Sequence, residues 1–170
     1  MHFARHGDEW EFHEYADLAH SAKVFEAEFR RYGLPPGGVV CLVLPNAPEF
    51  VGAMFGAWLA GATVCPLVPP VLFVGTDAYV AHLAMILRTA SAALVVTDGH
   101  SASPVAEAMK AAGMTGEPLV IDGSTTALPD PRARRGPAAD GTALLQFTSG
   151  STGAPRGYGS RSATSKPTCP

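Results

Sequence analysis

Residues 37–67 read "GGVVCLVLPNAPEFVGAMFGAWLAGATVCPL", and this stretch decides the fold. "GGVVCLVL" is a continuous run of β-branched and aliphatic residues, the pattern of a strand buried on both faces. Asn46 then serves as a helix cap, with Pro48 in the first turn and Glu49 three residues on. Phe50, Val51, Met54, Phe55, Trp58 and Leu59 make that helix apolar nearly all round, which predicts burial. Gly61 ends it, and "ATVCPL" reads as a second strand. Strand, helix and strand in close succession form the β-α-β unit of a parallel sheet.

Toward the N-terminus, Tyr15, Leu18, Ala22, Phe25, Phe29 and Tyr32 recur at spacings of three and four. They make one apolar face of a helix that Gly33 closes. Downstream, "VPPVLFVG" is an apolar, proline-containing loop. Thr76 or Asp77 caps a third helix with Tyr79, Leu83, Ile86 and Ala90 on one face. "ALVVTD" is a third strand, and Ser103 and Pro104 open a short fourth helix with Val105, Met109 and Ala112. "PLVID" is a weaker fourth strand. Residues Gly123 to Asp140 are rich in Gly, Pro, Ser and Ala and read as a surface connection, with the cluster Arg132 to Arg135 solvated. "TALLQF" is a fifth strand. Strands alternating with helices predict an α/β fold, a mostly parallel sheet with flanking helices.

The 170 residues are 47% hydrophobic and 16% charged, with a formal net charge of −3. That balance suits one globular core and lacks the basic character of a nucleic-acid binder. Cys41, Cys65 and Cys169 lie far apart in the sequence, show no metal-binding spacing and cannot all pair. They point to a reducing compartment and no zinc site. His13 and His20 have a spacing that fits one helix face, and solvated histidines are the simpler reading. The opening "MHFARHGDEWEF" has no apolar signal core, so a cytoplasmic location is expected. No charge occurs between Glu49 and Asp77. Gly61, Pro66, Pro69 and Pro70 interrupt that run, whereas a membrane span needs about 20 apolar residues, so none is expected.

The fifth strand runs directly into "TSGSTGAPRG", residues 148–157. Glycines permit left-handed backbone, so successive N–H groups can converge as an anion-binding concavity. Thr148, Ser149, Ser151 and Thr152 add rotatable hydroxyl donors, and Arg156 adds a cationic fork suited to phosphate. In open parallel sheets, ligands bind beyond the carboxyl ends of the strands, where this loop sits. These residues read as a polyphosphate cradle. On composition alone a flexible Ser/Gly turn accounts for them equally well, and the buried strand leading into the loop favours the cradle. Gly150 and Gly153 are too close for a Walker A loop, GxGxxG is absent, and "GSTG" is not a GxSxG nucleophile elbow.

"TSGSTGAPRG" resembles the phosphate-loop signature of the adenylate-forming superfamily, TSGSTGxPKG. That superfamily includes acyl-CoA synthetases, nonribosomal adenylation domains and fatty acyl-AMP ligases. "YADLAHSA" resembles its first helix and residues 33–67 the block that follows, so the resemblance runs from Phe12 to Gly157. Leu145, Gln146, Phe147 and the "PLVPP" stretch look most like the fatty acyl-AMP ligase branch. The resemblance implies use of ATP and Mg²⁺ to convert a carboxylic acid, here a fatty acid, to acyl-adenylate and pyrophosphate. The acyl group then passes to a thiol, on an acyl carrier protein or CoA. Joining two anions demands charge neutralisation and positioning. By resemblance, Thr148, Ser149, Gly150, Ser151, Thr152 and Gly153 cradle the β- and γ-phosphates. Arg156 stands where the family usually has lysine, and Gly38 where it usually has a turn aspartate.

The resemblance divides the chain into residues 1–157, an N-terminal portion of an AMP-binding domain, and residues 158–170, a non-homologous tail. G+C-rich codons chosen for the tail, read from one base earlier, spell Val-Arg-Val-Pro-Val-Gly-Asp-Leu-Glu-Ala-Asn-Val. That is the usual family continuation and points to a single-base loss near the Gly157 codon. The family's adenine pocket, magnesium-side acid, ribose aspartate and mobile domain have no counterpart among these residues. No catalytic residue or metal ligand is therefore assigned, and the chain alone is expected to be inactive. The alternatives are a non-catalytic nucleotide-binding module and the nonfunctional product of a damaged gene.

Overall fold

The computed structural model describes residues 1–4, 10–70, 75–121, 141–148 and 156–161. A short antiparallel ribbon opens the chain, β1 (His2–Ala4) with β2 (Trp10–Phe12). There follow α1 (Tyr15–Arg31), β3 (Val39–Val43), α2 (Pro48–Leu59), β4 (Thr63–Leu67), α3 (Thr76–Ala90), β5 (Ala92–Asp98), α4 (Ala102–Ala111), β6 (Leu119–Ile121), β7 (Thr142–Thr148) and β8 (Arg156–Arg161). The strands β3 to β8 form a sheet in the order β6-β5-β3-β4-β7-β8. Every pairing in it is parallel except that of β7 with β8. The expected α/β fold, a mostly parallel sheet with flanking helices, is the one observed.

The continuous apolar run of β3 is explained by burial from both sides. Val40, Leu42 and Leu44 face α1 and α2, packing with Phe25, Phe29, Ala53 and Ala57. Cys41 and Val43 face α3 and α4, packing with Leu83, Leu87, Val105 and Met109. Strand alternation therefore divides the interior into two cores, one on each face of the sheet.

Helix ends follow the glycines where the sequence supplies them. Gly33 takes φ +74° and Gly61 φ +79° just past α1 and α2, the left-handed stop that glycine adopts without a Cβ penalty. The N-termini differ from the sequence reading. Asn46 does not cap α2. Pro48 occupies the first turn, where its fixed φ and missing N–H fit, and Ala47 takes the cap position with no side-chain bond. Neither Thr76 nor Asp77 caps α3, since Gly75 at φ +99° precedes the helix and both residues lie within its first turn. Helix α4 starts at Ala102, before Ser103, and its preceding Ser101 donates its N–H to Asp98 Oδ1 at 2.7 Å.

Helix α2 is less enclosed than its composition predicts. Val51, Gly52, Ala53, Gly56 and Ala57 are buried, whereas Phe55 is 45% exposed. The close contact with α1 is made by the small residues. A Cβ on Gly56 would lie 2.5 Å from Phe25 Cβ and 2.8 Å from the Ala22 carbonyl oxygen. His13 precedes α1 and stacks edge-on to Phe3, so it does not share a helix face with the exposed His20. Cys41 and Cys65, distant in sequence, are register partners on β3 and β4, both free and fully buried. The hydrogen bond to Cys65 and burial together hold the Cys41 thiol well above its usual range. Cys169 and all of residues 123–140, Arg132 to Arg135 included, lie outside the described residues. No helix among the described residues is long and apolar enough to cross a membrane.

Candidate functional site

Thr148 is the last residue of β7 and Arg156 the first of β8, and the two are Cα partners across an antiparallel pair. The two strands stay in register for most of their length, with Gln146 opposite Tyr158 and Phe147 opposite Gly157. The backbone thus brings together the two ends of the glycine-rich stretch at the carboxyl end of β7. Ser149, Gly150, Ser151, Thr152 and Gly153 fall between those ends and lie outside the described residues. Strand β8 covers the first residues after Gly157, where the sequence shows no apolar periodicity. An edge strand paired through its backbone needs none, because the ladder uses N–H and C=O groups that every non-proline residue carries.

Strand β7 enters the sheet beside β4 with Leu144 opposite Val64. Two side chains hold its first residues. The Trp58 indole Nε1–H of α2 donates to the Ala143 carbonyl at 2.8 Å. The Thr63 hydroxyl of β4 donates to the Thr142 carbonyl at 2.7 Å. Leu144 packs into the core under α1 and α2, while Leu145 and Phe147 pack into the core under α3 and α4. Neither Trp58 nor Thr63 stands out in the sequence as a site residue. The one signal is that a tryptophan in an otherwise apolar helix carries a donor that must find a partner.

The carboxyl ends of β3, β4, β5, β6 and β7 all lie on one side of the sheet, because these strands are parallel. A small cleft there is lined by Leu44, Pro45, Glu49, Phe50, Asp98 and Ile121. Asp98 also faces Tyr79, whose phenol is pushed well above its ordinary range by burial and then by that carboxylate. Phosphate is unsuited to this acidic cleft. The loop after β7 carries the opposite chemistry, since residues 148–157 contain hydroxyl, amide and guanidinium donors and no carboxylate. Among the described residues, no three His, Cys, Asp or Glu side chains converge as metal ligands do.

Comparison with known proteins agrees with this layout. The family model described as AMP-binding enzyme matches residues 2–158. A long-chain-fatty-acid–AMP ligase, FadD26 of Mycobacterium marinum, is 30% identical over 138 residues, 80% of this chain and 23% of its own length. A sulfoacetate–CoA ligase of Cupriavidus necator is 29% identical over 147 residues, 82% of this chain and 28% of its own length. The chain therefore spans less than a third of the curated relatives it matches. Among solved structures, McyG A-PCP complexed with phenylalanyl-adenylate superposes with a TM-score of 0.75 at 23% identity, over 95% of this chain and 25% of that one. The N-terminal domain of FACL13 from Mycobacterium tuberculosis gives 0.68 at 22% identity, over 91% and 38%. These structures share the fold, and the family match covers nearly the whole sequence: the chain belongs to the AMP-binding enzyme family.

Proposed function

We propose that this chain carries the phosphate-binding portion of an ATP-dependent ligase that activates a carboxylic acid as its acyl-adenylate. The observation that carries the reading is the pairing of Thr148 with Arg156 at the carboxyl end of β7. It closes a donor-rich, carboxylate-free loop at the end of a parallel sheet where ligands bind. In this reading Thr148, Ser149, Gly150, Ser151, Thr152 and Gly153 donate to β- and γ-phosphate oxygens, and Arg156 balances their charge. A carboxylate oxygen of the acid attacks the α-phosphorus, and the bond to the bridging oxygen breaks. Pyrophosphate leaves with the electron pair. The loop's contribution is to hold and neutralise that leaving group. Mg²⁺ would arrive with the nucleotide.

The acyl group passes to a thiol, on CoA or on an acyl carrier protein. A fatty acid is the proposed substrate, supported by Leu145-Gln146-Phe147, by the "PLVPP" stretch and by the similarity to the mycobacterial long-chain ligase. Residues 1–157 are the proposed enzyme portion and residues 158–170 a tail outside the family's pattern, a division supported by the family match ending at residue 158. Resequencing across the Gly157 codon tests it, since an added base restores the family continuation if the division is right. The free buried thiols of Cys41 and Cys65 fit a reducing cytoplasm.

The direct test is titration of the isotope-labelled chain with ATP, read at the backbone amides of residues 148–156. Saturable shifts confined to that loop, weakened in Arg156→Ala, are the expected result. Amides that ignore ATP overturn the phosphate-cradle reading. Incubated alone with ATP and a long-chain fatty acid, the chain should form no acyl-AMP, and formation of the adenylate overturns its expected inactivity.

A further inference from the structure

We propose that Trp58 and Thr63 are positioning residues that set the register of β7, and with it the point at which the glycine-rich loop leaves the sheet. The apolar pattern of β7 does this only in part. Leu144 and Leu145 are adjacent and face opposite cores. A slip of one residue in either direction keeps a leucine at one of these two positions, puts Gln146 where Leu145 or Phe147 packs, and moves the strand end by about 3.4 Å. The antiparallel pairing with β8 does not correct such a slip, because β8 moves with its partner as one hairpin.

Pairing with β4 is recorded at one position among the described residues, Val64 with Leu144. The centre of the sheet differs, since β3 and β4 match from Val39–Thr63 to Val43–Leu67. Beside the packing of Leu144, Leu145 and Phe147, two directional contacts locate the hairpin. The indole Nε1–H from α2 reaches the Ala143 carbonyl, and the hydroxyl from β4 reaches the neighbouring Thr142 carbonyl, at 2.8 and 2.7 Å. The two donors belong to different elements and grip consecutive carbonyls. After a one-residue slip both meet a backbone group of the wrong position and facing. The bonds lie at the opposite end of β7 from Thr148, so they fix the loop through the strand and not by contact with it.

The functional consequence rests on the phosphate-cradle reading above, whereas the register itself does not. The test is amide hydrogen exchange of the chain carrying Trp58→Phe and Thr63→Val, followed by ATP titration of the same protein. We expect exchange at Leu144 to Thr148 to rise at least about tenfold, the loss of one or two net hydrogen bonds, with β3 and β5 unchanged. Thr63→Ser keeps the hydroxyl, so combined with Trp58→Phe it should restore protection to the level of Trp58→Phe alone. Unchanged β7 exchange overturns the proposal. Equal acceleration across the whole sheet also overturns it, since the two residues would then be general stabilisers. If wild-type loop amides respond to ATP, the double variant should need about tenfold more nucleotide. An unweakened response overturns the link between register and loop. If wild-type amides ignore ATP, the phosphate reading fails while the exchange result still decides the register.

Discussion

The two halves of the sheet are held by different forces. In β5-β3-β4 the strands are buried on both faces, and Val40, Leu42, Val43, Val64, Val95 and Val96 have no exposed area. Non-directional apolar burial from four helices encloses them, and many residues share the load. At the β7-β8 side β8 is the edge strand, Gln146 is exposed, and beside the packing of Leu144, Leu145 and Phe147 the attachment uses one backbone pairing to β4 and two side-chain bonds among the described residues. A core built from many equivalent contacts tolerates sequence change and specifies a layer. A segment that must present a loop at one place relies on few directed bonds. Under the proposed phosphate-binding function the difference fits the roles, because a ligand site needs position more than a core does.

The comparison breaks if the interior proves tolerant of truncation. Phe29 is fully buried between α1 and the sheet, with Phe25 at a ring separation of 5.9 Å. Phe29→Ala should cost about 3–5 kcal/mol from lost burial and the cavity left behind. Urea denaturation of the chain checks this, with a loss below about 1 kcal/mol showing that the α1 side collapses freely. Next in size is Gly56→Ala, which acts between the two regions. Its Cβ would meet Phe25 and the Ala22 backbone, so α2 must move away from α1 at a cost of about 1–3 kcal/mol. Because α2 carries Trp58, β7 amides should exchange faster in this variant than those of β5.

The same contrast explains what could be read from the residues alone. Strands β3, β4, β5 and β7 announce themselves by apolar runs, and α1 and α2 end at Gly33 and Gly61 where only local backbone geometry is at stake. The helix starts differ from the sequence reading at Asn46, Thr76 and Asp77 because several polar residues or a proline compete for one position and small energies choose between them. Strands β1, β2 and β8 are invisible to pattern because they are short and pair through backbone groups, and β1 buries the single aromatic Phe3, too little to show a period. The proposed phosphate chemistry rests on "TSGSTG" in the sequence, while the anchorage of β7 has no such local sign. Trp58 and its acceptor on β7 are 85 residues apart, and no local rule connects an indole to a carbonyl that distant.

The finest test makes one chemical change in both regions. Thr97 on β5 has no exposed area, and its hydroxyl finds no partner among the described residues. Thr63 on β4 is 6% exposed, and its hydroxyl donates to the Thr142 carbonyl. Replacing threonine by valine keeps the shape and removes the hydroxyl in each case. At Thr97 the change removes a polar group that was buried without compensation, so stability should rise by about 1 kcal/mol. At Thr63 it strands an acceptor at the start of β7, so stability should fall by about 1–2 kcal/mol. Opposite signs in parallel urea titrations show that the interior is governed by burial and the hairpin by directed bonds. Equal signs mean that the hydroxyls of β4 and β5 do the same work, and that the hairpin takes its place from packing after all.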